Sequence, residues 1–276
     1  MSPATIVVPC YNEVERFDVA RFREYVAQRR DVRFMLVNDG SSDETLSLLE
    51  RLASSHPGNF DVLDLGRNQG KAEAVRQGML AAWRDGADYV GFWDADLATP
   101  LEQIADFIRV LDQKPHLDAV FGSRILLPGR VIVRKEYRHW LGRLFNSVIS
   151  RILSMPIYDT QCGAKMFRGT PEVRAVFEQP FTVNWIFDVE ILARLIDGRR
   201  GSGSPRVYET VFEYPLDYWE DVAGSKLKPT DFLKAALQTG GIWWRYLRPG
   251  LPNRTPALDR ASSEETPQAP DQRRAA

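Results

Sequence analysis

Short apolar runs alternate with amphipathic stretches through the first half of the chain. Residues 4–9 (Ala-Thr-Ile-Val-Val-Pro) form a β-branched apolar run closed by the polar Cys10-Tyr-Asn-Glu13 segment, and predict a buried strand followed by a loop. Residues 15–30 carry Phe17, Val19, Phe22 and Val26 at helical spacing and predict an amphipathic helix. Residues 33–38 read as a second strand. Asp39-Gly-Ser-Ser-Asp43 reads as a turn ending in a helix cap, and Leu46, Leu48, Leu49 and Leu52 as the buried side of the next helix. Residues 60–65 predict a third strand, 66–70 a loop, 71–83 a helix, 89–93 a fourth strand and 119–122 a fifth. Alternation of this kind with short connections implies right-handed βαβ crossovers, and hence an α/β fold with a parallel sheet covered on both faces.

After about residue 125 the pattern changes. Residues 137–153 place Trp140, Leu141, Leu144, Phe145, Val148, Ile149, Ile152 and Leu153 on one wide helical stripe, flanked by Arg134, Arg138, Arg143 and Arg151. Such a stripe fits a core face, and with its arginines it also fits a helix lying on a membrane surface. Residues 159–163 read as a turn, 183–190 as the lead into a helix, 206–215 as a strand and 217–224 as an acidic, aromatic loop. Residues 232–247 predict another amphipathic helix with Trp243, Trp244 and Tyr246 near its end. Arg245 and Arg248 beside these aromatics suit an interface. From Pro252 onward there is almost nothing to bury, and a disordered tail is expected. The expected organisation is therefore an α/β half over 1–125, a half with amphipathic helices over 126–250, and a tail over 251–276.

Composition narrows the function classes. The formal net charge of −1 over 276 residues gives no global field for nucleic acid or an anionic membrane. Cys10 and Cys162 are far apart, and His56, His116 and His139 are scattered, so no zinc site is expected. No secretory segment opens the sequence, and a reduced, cytoplasmic setting is the simplest expectation. The longest uncharged stretch near the C-terminus, residues 235–244, is about half of the ~20 residues that span a bilayer.

The chemistry concentrates at the ends of the expected strands: Asn12 and Glu13, Asp39, Lys71, Asp94 and Asp96, Ser123 and Arg124. In an open α/β sheet ligands sit beyond the carboxyl ends of the strands. Asp94 and Asp96, spaced i, i+2 where the fourth strand meets a loop, suit one hard divalent cation shared with phosphate oxygens. Alone the pair also fits a polar loop in which Asp96 caps the turn. Lys71, after Gly70, opens a helix whose N-terminus already favours anions.

The motifs Val8-Pro-Cys-Tyr-Asn-Glu13, Asn38-Asp-Gly-Ser-Ser-Asp43, Asn68-Gln-Gly-Lys71 and Asp94-Ala-Asp96 resemble, in order and spacing, those of the inverting family-two glycosyltransferases of GT-A fold. Phe121-Gly-Ser-Arg124, Asp159-Thr-Gln-Cys-Gly-Ala-Lys165, Trp185-Ile-Phe-Asp-Val-Glu190 and Gly224-Ser-Lys226 are most similar to the dolichyl-phosphate β-glucosyltransferases and their bacterial polyprenyl-phosphate relatives. The resemblance covers about residues 4–248. Eukaryotic members carry an N-terminal membrane helix and other bacterial relatives carry C-terminal ones, whereas this sequence starts almost directly with the first expected strand and no membrane-spanning stretch is expected in it.

The resemblance implies a Rossmann-like GT-A fold with a mostly parallel sheet flanked by helices, and a metal-dependent hexosyltransferase that moves a hexose, with glucose foremost, from a UDP-sugar to a polyprenyl phosphate with inversion. It implies that Pro9, Tyr11, Glu13, Asp39, Lys71, Asp94, Ala95 and Asp96 bind the donor nucleotide, with Mg²⁺ or Mn²⁺ on Asp94 and Asp96. Ser225 and Lys226 would close over the diphosphate. Arg124, Arg134 and Arg138 are candidates for the acceptor phosphate, since a guanidinium fork takes phosphate oxygens in pairs. Asp159, Gln161, Trp185 and Glu190 would lie on the acceptor side. A phosphate acceptor needs no base. A carbohydrate or glycolipid hydroxyl would need one, with Asp188 first and Asp159 second. The expected place of action is the inner membrane face, as a peripheral protein. A sugar nucleotidyltransferase would open with a Gly-rich loop, and Pro-Cys-Tyr-Asn-Glu has no glycine.

Overall fold

The computed structural model describes residues 3–133, 136–220 and 229–250. Arg134, Ser225, Lys226 and the expected tail lie outside the described residues, as does the side chain of Arg138.

Five strands of the first half form as their patterns require: β1 (Ala4–Cys10), β2 (Val32–Asn38), β3 (Phe60–Asp64), β4 (Tyr89–Trp93) and β5 (Ala119–Ser123). The helices between them are α1 (Val19–Gln28), α2 (Thr45–Ser55), α3 (Lys71–Arg84) and α4 (Ile104–Gln113), the last preceded by a 3₁₀ turn at Leu101–Gln103. Pro100 thus opens a helical segment, as its missing N–H allows. The later elements are β6 (Val131–Val133), α5 (Glu136–Leu153), β7 (Ala164–Arg168), α6 (Pro171–Glu178), α7 (Phe187–Gly198), α8 (Val207–Thr210), β8 (Val211–Pro215), β9 (Tyr218–Glu220) and α9 (Pro229–Ile242), which runs into a π-helical turn at Trp243–Leu247.

One seven-stranded sheet has the order β3-β2-β1-β4-β7-β5-β8. The strands β1, β2, β3 and β4 pair in parallel, whereas β7 runs antiparallel to both β4 and β5. The sheet is thus mixed and mostly parallel, as the resemblance implies, with β7 running against the parallel strands supplied by the first half. The later half of the chain supplies β7 and β8 to the same sheet. Both faces carry a core, one containing Val7, Val75, Phe167 and Phe187, the other Phe22, Phe34, Phe107 and Trp93.

Two local expectations are corrected. The first helix starts at Val19 rather than at 15, because the Asp18 carboxylate accepts the Arg21 N–H and caps it there. Phe17, left before the cap, stacks on Phe22 at 4.6 Å. Residues 206–215 are not one strand, since Glu209 accepts the Arg206 N–H and folds Val207–Thr210 into a helical turn before β8 begins. Of the described residues in the stripe on α5, Ile149 and Leu153 are buried and Val148 is exposed, while the side chains of Trp140, Leu141 and Leu144 lie outside the described residues. Among the described residues no helix is long and apolar enough to cross a membrane.

Candidate active site

The strand ends meet at one cleft. Pro9, Tyr11, Glu13, Asp39, Lys71, Asp94, Ala95 and Asp96 all line it, together with Arg16 and Asn68. Its volume is about 350 Å³, within the range of small-molecule sites.

Each wall is fixed by a specific local contact. Asn12 sits in the left-handed region at φ 53°, a conformation asparagine tolerates, and its Oδ1 accepts the Ser42 N–H. The β1 loop is thereby tied to the β2 loop. Thr45 Oγ1 accepts the Glu13 N–H at 2.8 Å, and the Glu13 carboxylate pairs with Arg16 at 2.6 Å. Asp39, buried at the end of β2, accepts the N–H groups of Gln69 and Gly70 at 2.7 and 2.9 Å. It therefore ties the third loop down as well as bordering the cleft. Gly70, at φ +92°, turns the chain into α3 and sets Lys71 as its first residue.

The carboxylate corner follows β4. The Asp94 N–H donates to the Gly163 carbonyl at 3.0 Å, and a Cβ on Gly163 would collide with the Asp94 carboxylate. Lys71 Nζ lies 2.5 Å from Asp94 Oδ1. Asp96 Oδ1 accepts the Ala98 N–H at 3.1 Å, and the chain turns through Leu97 at φ 52°. A branched side chain in that region is uncommon and strained. Burial, reinforced by the charge of Asp94, pushes the Asp96 carboxyl above its ordinary value. A carboxylate whose charged form is disfavoured by burial and by a neighbouring carboxylate fits a cation placed beside it. Among the described residues no group of three acidic, His or Cys ligands exists. The protein thus offers a carboxylate pair rather than a full cage, which is the donor set for a metal shared with phosphates.

Behind the corner stands a buried ion pair. Lys165, the second residue of β7, places Nζ 2.7 Å from Asp188 Oδ1 and 2.5 Å from the Cys162 carbonyl. The ammonium also lies 5.2 and 5.0 Å from the ring centroids of Phe92 and Phe121. Burial pushes the Asp188 carboxyl up, against the pull of Lys165. Asp188 is not among the residues that line the cleft, although the charges of Lys71 and Asp94 act on it.

The acceptor-side candidates divide. Arg124 and Asp159 are one pair: Nε and Nη2 donate to the two carboxylate oxygens at 2.6 and 2.8 Å, and the guanidinium lies 5.1 Å from the Trp219 ring. Glu213 accepts the Tyr158 and Asp159 N–H groups, each at 2.7 Å, and Asp159 accepts the Gln161 N–H. Trp185 stacks on Phe145 at 6.3 Å. Glu190 does not face the cleft. It is buried, accepting from Thr182, Arg194 and the Tyr246 hydroxyl, and it joins α7 to the π-helical turn. The sequence reading gave no role to Lys165 or to the cradle at Gly163.

Residues 5–171 match the family described as Glycosyl transferase family 2. The chain belongs to that family. This glycosyltransferase is 30% identical over 261 residues to a dolichyl-phosphate beta-glucosyltransferase of Dictyostelium discoideum, covering 88% of this chain and 74% of that protein. It is 29% identical over 171 residues to the undecaprenyl-phosphate 4-deoxy-4-formamido-L-arabinose transferase of Pseudomonas syringae, covering 60% of this chain and 47% of that one. Among solved structures it is similar to glucosyl-3-phosphoglycerate synthase from Mycobacterium tuberculosis in complex with Mn²⁺, UDP and glucosyl-3-phosphoglycerate (17% identity, 89% of this chain and 80% of that one, TM-score 0.59). It is also similar to a Pyrobaculum calidifontis mannosyltransferase in complex with GDP-mannose and Mn²⁺ (19% identity, 82% of this chain and 59% of that one, TM-score 0.51). The GT-A fold implied by the sequence motifs is the fold of this glycosyltransferase.

Proposed function

We propose that this glycosyltransferase moves a hexose, glucose in the first instance, from a UDP-sugar to a polyprenyl phosphate with inversion. The observation that carries the reading is the convergence of Glu13, Asp39, Lys71, Asp94 and Asp96 on one cleft, in a chain whose similarity to dolichyl-phosphate glucosyltransferases runs over most of its length. Glu13 and Asp39 are acceptors suited to ribose hydroxyls and to a ring N–H. Lys71 and the N-terminus of α3 suit the diphosphate. Asp94 and Asp96 would hold Mg²⁺ or Mn²⁺, which when bound supplies positive charge to the departing diphosphate.

A lipid phosphate is already anionic near neutral pH, with a second pKa of about 6. One of its oxygens can attack the anomeric carbon as the bond to the β-phosphate oxygen of UDP breaks, and no side chain has to take a proton. Arg124, Arg134 and Arg138 are the proposed cations that draw this anion toward an anionic donor, with Ser225 and Lys226 closing on the diphosphate. Exposed Leu237, Trp243 and Trp244, with Arg248 stacked 4.1 Å from the Trp244 ring, are the proposed contact with the membrane that holds the acceptor.

The test is transfer from radiolabelled UDP-glucose in the presence and absence of polyprenyl phosphate. Label in an acid-labile, solvent-extractable glycolipid supports the reading. Label in a soluble carbohydrate and never in the lipid fraction would falsify it and favour a hydroxyl acceptor.

A further inference from the structure

Lys71 and Asp94 hold each other in a way that conflicts with the roles assigned to both. The Asp94 carboxylate is backed against Gly163, with Oδ2 the oxygen nearer to that glycine. Oδ1 is the oxygen held by the Lys71 ammonium, at 2.5 Å. A divalent cation and an ammonium cannot both sit at bonding distance on that oxygen without strong mutual repulsion.

The two partners differ in freedom. Asp94 is fixed by its N–H bond to Gly163 and by the packing of its carboxylate. Lys71 is a flexible four-carbon stem at the first residue of α3, and 45% of its side chain is exposed. Any exchange of partners therefore moves the lysine.

We infer that Lys71 is the exchangeable counter-ion of the carboxylate corner, resting on Asp94 until a metal–nucleotide takes its place and gives the ammonium a diphosphate instead. The inference rests on the reading of Asp94 and Asp96 as the metal-nucleotide corner, and adds a rule about binding order. Metal alone has to displace Lys71 and leave a cation beside itself without a partner. Metal with nucleotide supplies the partner. The two ligands must then favour each other on the protein, reciprocally, beyond the affinity they have for each other in water.

The test uses the full chain and Lys71→Gln, with free Mn²⁺ followed by electron paramagnetic resonance with and without UDP. Lys71→Gln should bind Mn²⁺ without UDP about two- to fivefold more tightly than wild type, the range for loss of competition from a partly exposed ion pair. Its affinity for UDP without metal, measured by calorimetry, should fall severalfold, so that the coupling between the ligands shrinks. An unchanged unfolding midpoint shows that the variant is folded, as expected for a partly exposed helix-start residue. If both proteins bind Mn²⁺ with UDP but Lys71→Gln gains nothing for Mn²⁺ alone, the counter-ion role is wrong and the donor site stands. If wild type takes up no Mn²⁺ even with UDP, the donor reading fails and takes this inference with it.

Discussion

The Lys165 ammonium lies 2.7 Å from Asp188 Oδ1, and none of the lysine side chain reaches solvent. A charge in that position is tolerable only because the carboxylate, the Cys162 carbonyl and two aromatic rings replace water. Lys165→Met removes one partner and leaves a buried carboxylate. It should cost about 3–5 kcal/mol in urea unfolding, the usual range for breaking a buried pair. The double variant Lys165→Met/Asp188→Asn should recover most of that loss. A double variant as unstable as the single one would mean that β7 needs the lysine for packing rather than for charge.

Gly163 carries the second prediction. Its carbonyl receives the Asp94 N–H, and its missing side chain is the space into which the Asp94 carboxylate folds. Gly163→Ala must move either β7 or the carboxylate. Since β7 is clamped between β4 and β5, the carboxylate gives way. Calorimetry should show Mn²⁺–UDP affinity reduced about tenfold or more, with a far-UV spectrum like that of wild type. Tenfold corresponds to about 1.4 kcal/mol, modest for displacement of one ligand in a two-carboxylate site. Undiminished affinity would show that Asp94 is not a ligand in the geometry seen here.

The same two residues explain what could be read in advance. The strands β1, β2, β3, β4 and β5 announce themselves through apolar runs bounded by polar loops, and β4 falls on residues 89–93 as its pattern requires. The convergence of Glu13, Asp39, Lys71, Asp94 and Asp96 on one cleft was legible because each strand hands its polar residue to the same end of the sheet. Strand β7 was not legible, because its sequence Ala-Lys-Met-Phe-Arg places a lysine where a buried strand should be apolar. Only the carboxylate of Asp188, 23 residues later, makes that lysine buriable. Helix α6 did carry a readable signal in Thr170-Pro171: the threonine hydroxyl accepts the Val173 N–H, and proline takes the first helical position. Among the residues proposed for the acceptor, charged groups far apart in sequence satisfy each other. Arg124 spends its fork on Asp159, and Glu190 is held inside by Thr182, Arg194 and Tyr246. Residue type alone does not tell such a group from one that meets a ligand.

The cysteines give a third prediction. Cys10 and Cys162 are both free and buried, and burial raises both thiols, Cys162 to about 11. A thiol is reactive through its thiolate, so neither should react at neutral pH while the chain is folded. Titration with a thiol-specific chromogenic reagent should count none in buffer and two in guanidinium, set by the cysteines in the sequence. Rapid labelling of Cys162 in buffer would mean that the segment before β7 opens far more readily than its packing implies.

Acid provides the last test, through Asp159. Burial works against its ionised form, but the Arg124 charge, the bidentate hydrogen bonds and the Arg124 N–H outweigh it and hold the carboxyl below its ordinary value of 3.8. A carboxyl with a lower pKa folded than unfolded stabilises the fold fully above the unfolded value. That contribution is lost as pH falls from about 4 through the depressed folded pKa, because the unfolded chain then binds the proton first. Asp159→Asn removes this titration, and Arg124→Leu/Asp159→Asn removes it without leaving a buried cation. Urea unfolding between about pH 4 and pH 2.5 should show a smaller loss of stability per pH unit in the double variant than in wild type. Equal slopes would mean that Asp159 ionises as easily unfolded as folded, and that the Arg124 fork only orients the loop.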